Sequence, residues 1–593
     1  MNIPRPEHPN PQFERQDWIN LNGKWQFEFD FGVSGQEKGM HAEDSGRLYS
    51  KEITVPFCPE SKLSGIEYKD YMNSVWYRRE VNIPDDWNLS EGYVILHFGA
   101  VDWQTYVWVN GGLSGGHQGG YTSFSIDITN KVRSGNNIIV VQAIDEKAAH
   151  GSQASGKQSH RYASYGCHYT RTTGIWQTVW MEYVPSVYVT KLDITPDVKN
   201  NKVDITAVLY GNMNGENDYR LEAVASYEGK FMGSKSIIPS WRGNNLSIEL
   251  DELHLWEPLC GRLYDLDVKL YKAEKVIDSV TSYFGMRSVD LTDNVILING
   301  KPVYQRLILD QGFYPDGVYT APSDDELRLD VQRSIDMGFN GARLHEKVFE
   351  ERFLYWADKA GYLCWGEHAN WGLDISNDEN LGSFQNEWTE EINRDYSHPS
   401  IIGWCPFNET QGNQSNRLVD TIVKLTKQLD PTRPVIDTSG WTHHYASDGR
   451  SGTDIFDVHD YEQNPEKFKA TYAPFAEGQT PPHTTRTPVD TWLPGVPYFV
   501  SEFGGIRWAP EKGNESWGYG IAPEDESEFI NRYRGLVTAL LEHPKMCAFC
   551  YTQLTDVEQE VNGLYTYDRR PKFDPEVIKA ITSMPAAIEK IGD

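Results

Sequence analysis

Three features are scarce in this chain of 593 residues: cysteine, long apolar runs and positive charge. The seven cysteines are scattered, and only Cys547 and Cys550 form a close pair, without the second pair that a zinc site needs. This pattern predicts free thiols in a reducing compartment and no metal or redox chemistry at the pair. No apolar run is long enough to be interpreted as a membrane span.

The shortage of positive charge bears on the partners. Lysine and arginine number 55 against 85 aspartates and glutamates, which gives a net charge of −30. Such a chain repels nucleic acid and anionic membranes, so neither is expected as a partner. Residues 1–8 are polar and lack a signal-peptide pattern. We expect a cytoplasmic protein, with a periplasmic or secreted form that has lost its signal as the alternative.

Aromatic residues, in contrast, are abundant, with 19 Trp, 33 Tyr and 23 Phe. Proteins rich in β-structure are aromatic in any case, because these side chains pack well on a pleated surface. Sugar-binding sites also use aromatic rings, on which the C–H face of a sugar packs. Composition leaves both interpretations open.

The first half of the chain has the short alternating pattern of β-strands between turns. Residues 1–185 predict a β-sandwich. Residues 186–287 predict a smaller sandwich, and their length of roughly 100 residues fits an immunoglobulin-like domain.

From residue 288 to residue 593 the pattern changes to strands that alternate with helices. Ser323 followed by Glu326 forms a capping box at the start of the first helix. The apolar runs and helical segments add up to eight strand–helix units in about 300 residues, the size of a (β/α)₈ TIM barrel.

Two of these strand-like runs end in a glutamate. The stretch 401–409 ends in Asn408 and Glu409, and the stretch 498–502 ends in Glu502. Polar residues at the carboxyl ends of barrel strands belong to the catalytic face. Paired carboxylates are what glycoside hydrolysis requires, although each glutamate could instead form an ordinary salt bridge at a loop edge.

Short motifs support this interpretation because they occur in a fixed order along nearly the whole chain. They are Trp108-Val109-Asn110-Gly111, Gly119-Gly120-Tyr121-Thr122-Ser123-Phe124, Thr173-Gly174-Ile175-Trp176-Gln177-Thr178-Val179-Trp180, Leu255-Trp256-Glu257-Pro258, Phe284-Gly285-Met286-Arg287 and Ile298-Asn299-Gly300-Lys301-Pro302. With them the chain resembles glycoside hydrolase family 2, the retaining β-galactosidases, β-glucuronidases and β-mannosidases. The resemblance implies a jelly-roll-like domain, an immunoglobulin-like domain and a catalytic barrel.

The resemblance also implies roles for four residues. Glu409 matches the acid/base, Glu502 the nucleophile, Asn408 the amide that holds the sugar 2-hydroxyl, and Arg343 the arginine that steadies the nucleophile. A charged Arg343 would lower the pKa of Glu502. Glu409, in a less polar setting beside another carboxylate, is expected to have a raised pKa.

Further substrate-binding candidates lie at or just after strand ends. Each could instead satisfy a backbone carbonyl or pack in a loop, but together they suggest recognition of sugar hydroxyls. Family members often carry a tryptophan at the end of strand eight, where Tyr551 and Gln553 stand here and could form the floor of the sugar site. The histidines, the tyrosine beside the nucleophile and the wall tryptophans are His345, His368, His459, Tyr461, Trp371, Trp441, Trp508 and Trp517.

The sequence identifies the sugar substrate less directly than it identifies the catalytic glutamates. Glucuronidases of the family hold the uronic carboxylate with Asn-x-Lys, but Asn562-Gly563-Leu564 stands in the last third of this barrel. Arg507 could serve a carboxylate, yet nothing singles it out. We therefore expect an exo-acting retaining glycosidase for a terminal neutral, β-galactoside-like sugar. The alternatives are a β-glucuronidase, an arabinosidase, a galactofuranosidase, or a non-catalytic carbohydrate-binding protein, which would need neither glutamate.

The expected partner is an oligosaccharide, polysaccharide or simple glycoside, and the family resemblance suggests a homodimer or tetramer. We expect no cofactor, and no metal, because no histidine–glutamate group has helical metal-ligand spacing.

Overall fold

The computed structural model describes residues 3–146, 151–213, 218–241, 243–410, 412–443, 452–483, 492–511 and 516–592. It has the predicted multidomain architecture of two β-sandwiches followed by a barrel of parallel strands. Within these ranges, no helix combines the length and the apolar character needed to cross a membrane.

The N-terminal unit is a sandwich of a four-stranded and a six-stranded antiparallel sheet, in the orders β1-β12-β5-β9 and β3-β2-β4-β10-β7-β8. Alternation along β10 puts Ile139 and Val141 into the core between the sheets. The strands are β1 (Trp18–Asn20), β2 (Gly23–Phe29), β3 (Lys51–Val55), β4 (Ser74–Ile83), β5 (Gly92–Phe98), β6 (Val101–Asp102), β7 (Gln104–Val109), β8 (Gly112–Gln118), β9 (Phe124–Asp127), β10 (Gly135–Ile144), β11 (Gly174–Ile175) and β12 (Val179–Pro185).

The second unit is a smaller sandwich with sheets β13-β14-β17 and β16-β15-β18-β19. Strand β18 alternates strictly, so that Leu266, Val268 and Leu270 enter its core. Its strands are β13 (Val187–Asp197), β14 (Lys202–Gly211), β15 (Tyr219–Tyr227), β16 (Lys230–Ile237), β17 (Asn244–Glu249), β18 (Tyr264–Lys272) and β19 (Lys275–Phe284).

A short three-stranded sheet leads into the barrel. Asn299 (φ 54°) and Gly300 (φ 73°) both adopt the left-handed backbone of a two-residue hairpin turn, as the Asn-Gly pair predicts. Its strands are β20 (Val289–Thr292), β21 (Val295–Ile298) and β22 (Lys301–Pro302).

The barrel is a seven-stranded parallel sheet in the order β26-β25-β24-β23-β31-β30-β29. The segment 434–439 lies between its two edges: Ile436 N donates to Trp404 O (2.9 Å), and Asp454 N donates to Val435 O (2.8 Å). The strands are β23 (Gln305–Asp310), β24 (Gly341–Leu344), β25 (Leu363–Glu367), β26 (Ile401–Cys405), β27 (Phe407–Asn408), β28 (Thr438–Ser439), β29 (Phe456–Asp460), β30 (Tyr498–Gly504) and β31 (Met546–Thr552).

Amphipathic helices pack outside the barrel strands, and most begin at a side-chain cap. The predicted cap at Ser323 is present, because its Oγ accepts from Glu326 N at 3.2 Å. The helices are α1 (Asp324–Asp336), α2 (Glu351–Ala360), α3 (Leu381–Asp395), α4 (Asn416–Leu429), α5 (Pro465–Ala476), α6 (Glu526–Leu541) and α7 (Pro575–Thr582).

The N-terminal unit docks on the catalytic end of the barrel through residues 151–158, which we call the docking segment. Gly151 N donates to Gly372 O (3.0 Å), and Ser155 N donates to Trp371 O (2.7 Å). A segment of the first unit thereby lies against the loop that follows barrel strand β25.

The first and second units are joined by a buried ion cluster. Arg15 Nε donates to Asp278 Oδ1 of β19 (2.9 Å), and Nη1 donates to Glu182 Oε2 of β12 (3.0 Å). All three side chains are under a tenth exposed. Removing the cation would leave two buried carboxylates without their countercharge.

We expect Arg15→Met to lower the free energy of unfolding by about 3–5 kcal/mol, the usual cost of breaking a buried pair. Urea unfolding followed by tryptophan fluorescence measures the loss. The control is Lys24→Met, whose pair with Glu52 has side chains 51% and 62% exposed and should change stability by less than about 0.5 kcal/mol. Equal midpoints for Arg15→Met and the unchanged chain would contradict a stabilising role for the cluster.

Candidate active site

The two glutamates predicted from strand ends face one another across the mouth of the barrel. Glu409 follows β27 and Glu502 lies in β30. One carboxylate oxygen of each lies within 4.8 Å of the other and of a ring nitrogen of His459. This spacing fits the retaining arrangement of about 5–5.5 Å and is shorter than the inverting range of about 6.5–9.5 Å.

Arg343 on β24 is the centre of the site and is almost fully buried. Its Nη1 donates to Glu502 Oε1 (2.8 Å), its Nη2 to Asn408 Oδ1 (2.6 Å) and its Nε to Glu367 Oε2 (2.6 Å). The planar guanidinium thereby holds three side chains from three strands in one geometry. Sequence reasoning missed Glu367, although it ends an apolar run, β25, in the same way as the other two glutamates.

Glu502 is buried and held from several sides. The Tyr461 hydroxyl donates to its Oε2 at 2.5 Å, and His459 Nδ1 lies 3.4 Å from the same oxygen. Burial raises the pKa of Glu502, but His459 and the charged Arg343 lower it overall, in the direction that the sequence predicts. The carboxylate is therefore ionised at neutral pH, as a nucleophile requires.

Glu409 is positioned by a left-handed backbone (φ 47°), an uncommon conformation that is often found at functional sites. Its Oε1 lies 2.8 Å from His459 Nδ1. Burial raises its pKa, but His459 and Lys157 lower it well below the usual range of a glutamate. The predicted rise is therefore wrong, because His459 outweighs the effect of the second carboxylate.

Only one of the two polar atoms of the Asn408 side chain has a hydrogen-bond partner among the described residues. Its Oδ1 accepts from Arg343, whereas its buried Nδ2 has no partner among the described residues. A buried N–H group without a partner is costly, and the side chain lines the cavity beside Glu409. This amide is the group expected to donate to a sugar hydroxyl.

The predicted histidines separate into two groups. His345 is buried, with Nδ1 2.9 Å from Glu367 Oε1, and burial lowers its pKa, so the ring is neutral. It lies at the site with His459. His368 pairs instead with Glu391 of α3 (2.7 Å) and packs on Phe384, so its predicted place on the site rim is wrong.

A cavity of about 530 Å³ opens next to the carboxylates, a volume typical of small-ligand sites. Asn408 and Glu409 line this cavity, and the side chains of Trp371 and Trp441 form aromatic parts of its wall. Trp441 is 45% exposed, so its ring is accessible to a sugar. The other two wall candidates, Trp508 and Trp517, do not line this cavity.

Tyr551, one of the two residues predicted as alternatives for the floor of the sugar site, does not face the site. Alternation along β31 turns its ring outward, where it packs on Phe503 (5.5 Å between centroids) and on Tyr533 of α6 (5.0 Å). The next residue, Thr552, points inward, and its Oγ1 lies 3.2 Å from the Tyr461 hydroxyl. At this position of β31, Thr552 faces the site and Tyr551 faces α6.

Gln553 is buried beside the end of β31. Its Nε2 donates to Asn562 Oδ1 (2.7 Å), and Asn562 Nδ2 donates to Glu560 Oε1 (2.9 Å). Both polar atoms of the Asn562 side chain are thus in use. The role of Gln553 in substrate binding stays a prediction.

The site contains a cation that sequence reasoning missed. Lys157 belongs to the docking segment of the N-terminal unit, is buried, and lies with Nζ 3.6 Å from the ring centroid of Trp371. Burial lowers its pKa, but Cys167, Glu409, Glu502 and Glu346 raise it overall, so the ammonium is charged. A lone lysine in a loop about 250 residues before Glu409 carries no motif that could have identified it.

Comparison with protein families gives three consecutive matches. The family models are described as "Glycosyl hydrolases family 2, sugar binding domain" over residues 49–179, "Glycosyl hydrolases family 2" over residues 187–287, and "Glycosyl hydrolases family 2, TIM barrel domain" over residues 289–483.

Among characterised proteins, a β-glucuronidase of Rattus norvegicus is 26% identical over 483 residues, 74% of this chain and 71% of that protein. A protein of Formosa agariphila, named as a candidate β-glucuronidase, is 30% identical over 376 residues. That match covers 60% of this chain and 44% of the other protein, so the chain spans less than half of that relative's length.

Among solved structures, a β-glucuronidase from Ruminococcus gnavus, in complex with an N1-substituted uronic isofagomine, superimposes with a TM-score of 0.77. The identity is 18%, and the match covers 98% of this chain and 100% of that one. At this identity the superposition establishes a shared fold.

We expect His459→Gln to leave the acid proton on Glu409 alone, whereas the pair formed by Glu409 and His459 (2.8 Å) shares it in the unchanged protein. Two basic groups that share one proton hold it to a higher pH than either group alone. The basic limb of the pH profile of kcat/KM, measured with a nitrophenyl glycoside that the protein hydrolyses, should therefore move down by about one pH unit or more.

The control for this prediction is His117→Gln, since His117 pairs with Glu390 (2.9 Å) at the contact between the N-terminal unit and α3. Its profile should match that of the unchanged protein. A basic limb that stays in place in His459→Gln would show that His459 does not set the protonation of Glu409.

Proposed function

The chain belongs to glycosyl hydrolase family 2 and is a glycoside hydrolase, and we propose that it is an exo-acting retaining β-glucuronidase. The observation that carries the retaining mechanism is the separation of the Glu409 and Glu502 carboxylates, within 4.8 Å. The choice of sugar draws on the relatives, whose names are those of β-glucuronidases. These names give no specific support to the β-galactoside preference expected from the sequence.

In the first step, Glu502 attacks the anomeric carbon of the terminal sugar and the bond to the leaving oxygen breaks. Arg343 and Tyr461 each bind one oxygen of this carboxylate, and so orient it without protonating it. The proton for the leaving oxygen comes from the Glu409–His459 pair, whose hydrogen bond keeps that proton close to the scissile bond. The product of this step is a glycosyl ester on Glu502.

In the second step, the same pair takes a proton from water, which attacks the anomeric carbon and releases Glu502. Two inversions at one carbon give net retention. Asn408 supports both steps, because its free Nδ2 can donate to the 2-hydroxyl while Arg343 fixes its Oδ1. Interactions with that hydroxyl strengthen in the transition state of such enzymes.

A neutral hexoside is the second candidate, and one observation favours it. The Asn-x-Lys that holds the uronic carboxylate in glucuronidases is missing here, and the Asn562 side chain is already engaged with Gln553 and Glu560. A glucuronidase with this sequence needs a different cation for the acid group.

A panel of p-nitrophenyl glycosides tests the choice of sugar. We expect the highest kcat/KM with the β-D-glucuronide, ahead of the β-D-galactoside, β-D-glucoside, β-D-mannoside, α-L-arabinofuranoside and β-D-galactofuranoside. Release of nitrophenol is read by absorbance, and the anomer first released is read by proton NMR. A clear preference for a neutral member would overturn the uronide assignment, and release of the inverted anomer would overturn the mechanism.

We expect Glu502→Ala to abolish turnover while the protein stays folded, because the nucleophile is gone and the cavity remains. Added azide should restore part of the release of nitrophenol and give the glycosyl azide with inverted configuration. The matched control is Glu462→Ala, which alters a glutamate just beyond the site residue Tyr461 and should keep most of the activity. Full activity in Glu502→Ala, or no rescue by azide, would contradict the assignment of the nucleophile.

A further inference from the structure

The docking segment places one lysine of the N-terminal unit on the ring of Trp371, a residue that lines the barrel cavity. Gly156 N donates to Ala369 O (3.1 Å), and Gly156 has φ +53°. A Cβ at this position would lie 2.1 Å from Glu346 O, so only glycine allows so close an approach to the barrel. The residue that follows this contact is Lys157.

The backbone on the other side of Lys157 is equally fixed. Lys157 O accepts from Tyr169 N (2.8 Å). The side chain of Gln158 donates to Asp102 Oδ2 (2.9 Å) and to the Tyr121 hydroxyl (3.1 Å), two buried residues of the N-terminal unit. The lysine therefore projects from a rigid support, as the groups of a specific binding site require.

The ammonium of Lys157 is buried and has no anion in direct contact. The residue is 5% exposed, and its Nζ contacts the face of Trp371, which lines the cavity with Glu409. Glu409, Glu502 and Glu346 act on its charge, but within the described parts of the chain Nζ forms no ion pair or hydrogen bond at contact distance. A ligand carboxylate that touches Nζ would therefore add a charge-assisted hydrogen bond that these residues do not supply.

The other buried cations near the site are already satisfied. Arg343 is occupied by Glu367, Glu502 and Asn408. Lys347 donates to the carbonyl oxygens of Gly312 and Tyr319. Of these three buried cations, Lys157 is the one without an ion pair or hydrogen bond at contact distance among the described residues.

An acidic sugar needs such a cation, because Glu409 lines the cavity with Glu502 close to it, and these two carboxylates would otherwise repel a third. We propose that Lys157 binds the carboxylate of the terminal uronic acid and makes the site selective for uronides over neutral sugars. The inference rests on the proposed function. In this chain the acid group is recognised by the N-terminal unit, in place of an Asn-x-Lys in the barrel.

The test compares Lys157→Met and Lys157→Arg with the unchanged protein on p-nitrophenyl β-D-glucuronide and β-D-glucoside, which differ only in the carboxylate. We expect the ratio of the two kcat/KM values to fall about 10- to 100-fold in Lys157→Met, the usual effect of losing a hydrogen bond to a charged group. Lys157→Arg keeps the charge and should retain part of the preference. The inhibition constant of D-glucuronate should rise with the loss.

Substrate chemistry provides a second measurement that does not depend on the variants. The 6-methyl ester of the glucuronide keeps the carbon skeleton and removes the charge. The unchanged protein should hydrolyse it less efficiently than the free acid by a similar factor, and Lys157→Met should discriminate little between the two. An exposed lysine, Lys424 on α4, which pairs with Asp420, provides the matched control variant Lys424→Met, and its preference should not change.

The outcomes separate the inference from the proposed function. No release from the glucuronide by the unchanged protein contradicts the proposed function. Glucuronide preference that survives in Lys157→Met contradicts the inference alone. Equal losses of kcat/KM on the glucuronide and the glucoside in Lys157→Met, with a shifted basic limb of the pH profile, would show that Lys157 acts only through the charge of Glu409. That result would also overturn the inference.

Discussion

A single buried guanidinium, that of Arg343, keeps the site together. Burying it is costly, and two carboxylates and an amide oxygen offset that cost. The same bonds that make the burial tolerable aim Glu502 at the substrate, leave Asn408 with a free N–H group, and fix Glu367 beneath them. The parallel sheet makes this possible, because it brings the carboxyl ends of strands distant in sequence to one rim.

Around this centre the protonation of the site is shared between neighbours. His459 lies between Glu409 and Glu502, within hydrogen-bonding distance of the first and 3.4 Å from the second. Two carboxylates alone would have forced a proton onto one of them. With an imidazole between them, the pKa values of both glutamates are lowered. In the proposed mechanism the proton delivered to the leaving group therefore belongs to the pair formed by Glu409 and His459.

The N-terminal sandwich contacts the loop that lines the site. Its docking segment lies on the loop after β25 through backbone hydrogen bonds, and a glycine at 156 lets the chain approach close enough to bring Lys157 over Trp371. In the proposed function, Lys157 supplies the cation for the uronic carboxylate that the Asn-x-Lys lysine supplies in glucuronidases. Specificity in this chain would then depend on the packing between two domains.

The sequence by itself determined the order of the domains and the barrel, since strand and helix periodicities are local properties of the chain. It also determined Glu409, Glu502, Asn408 and Arg343 as the central candidates, because strand ends and motif order identify them. Only the tertiary structure decided that Tyr551 faces α6, that His459 reverses the expected pKa shift of Glu409, and that Lys157 packs on the ring of Trp371. A one-residue change reverses the face of a strand, and electrostatic effects depend on distances between groups far apart in sequence, which no local pattern records.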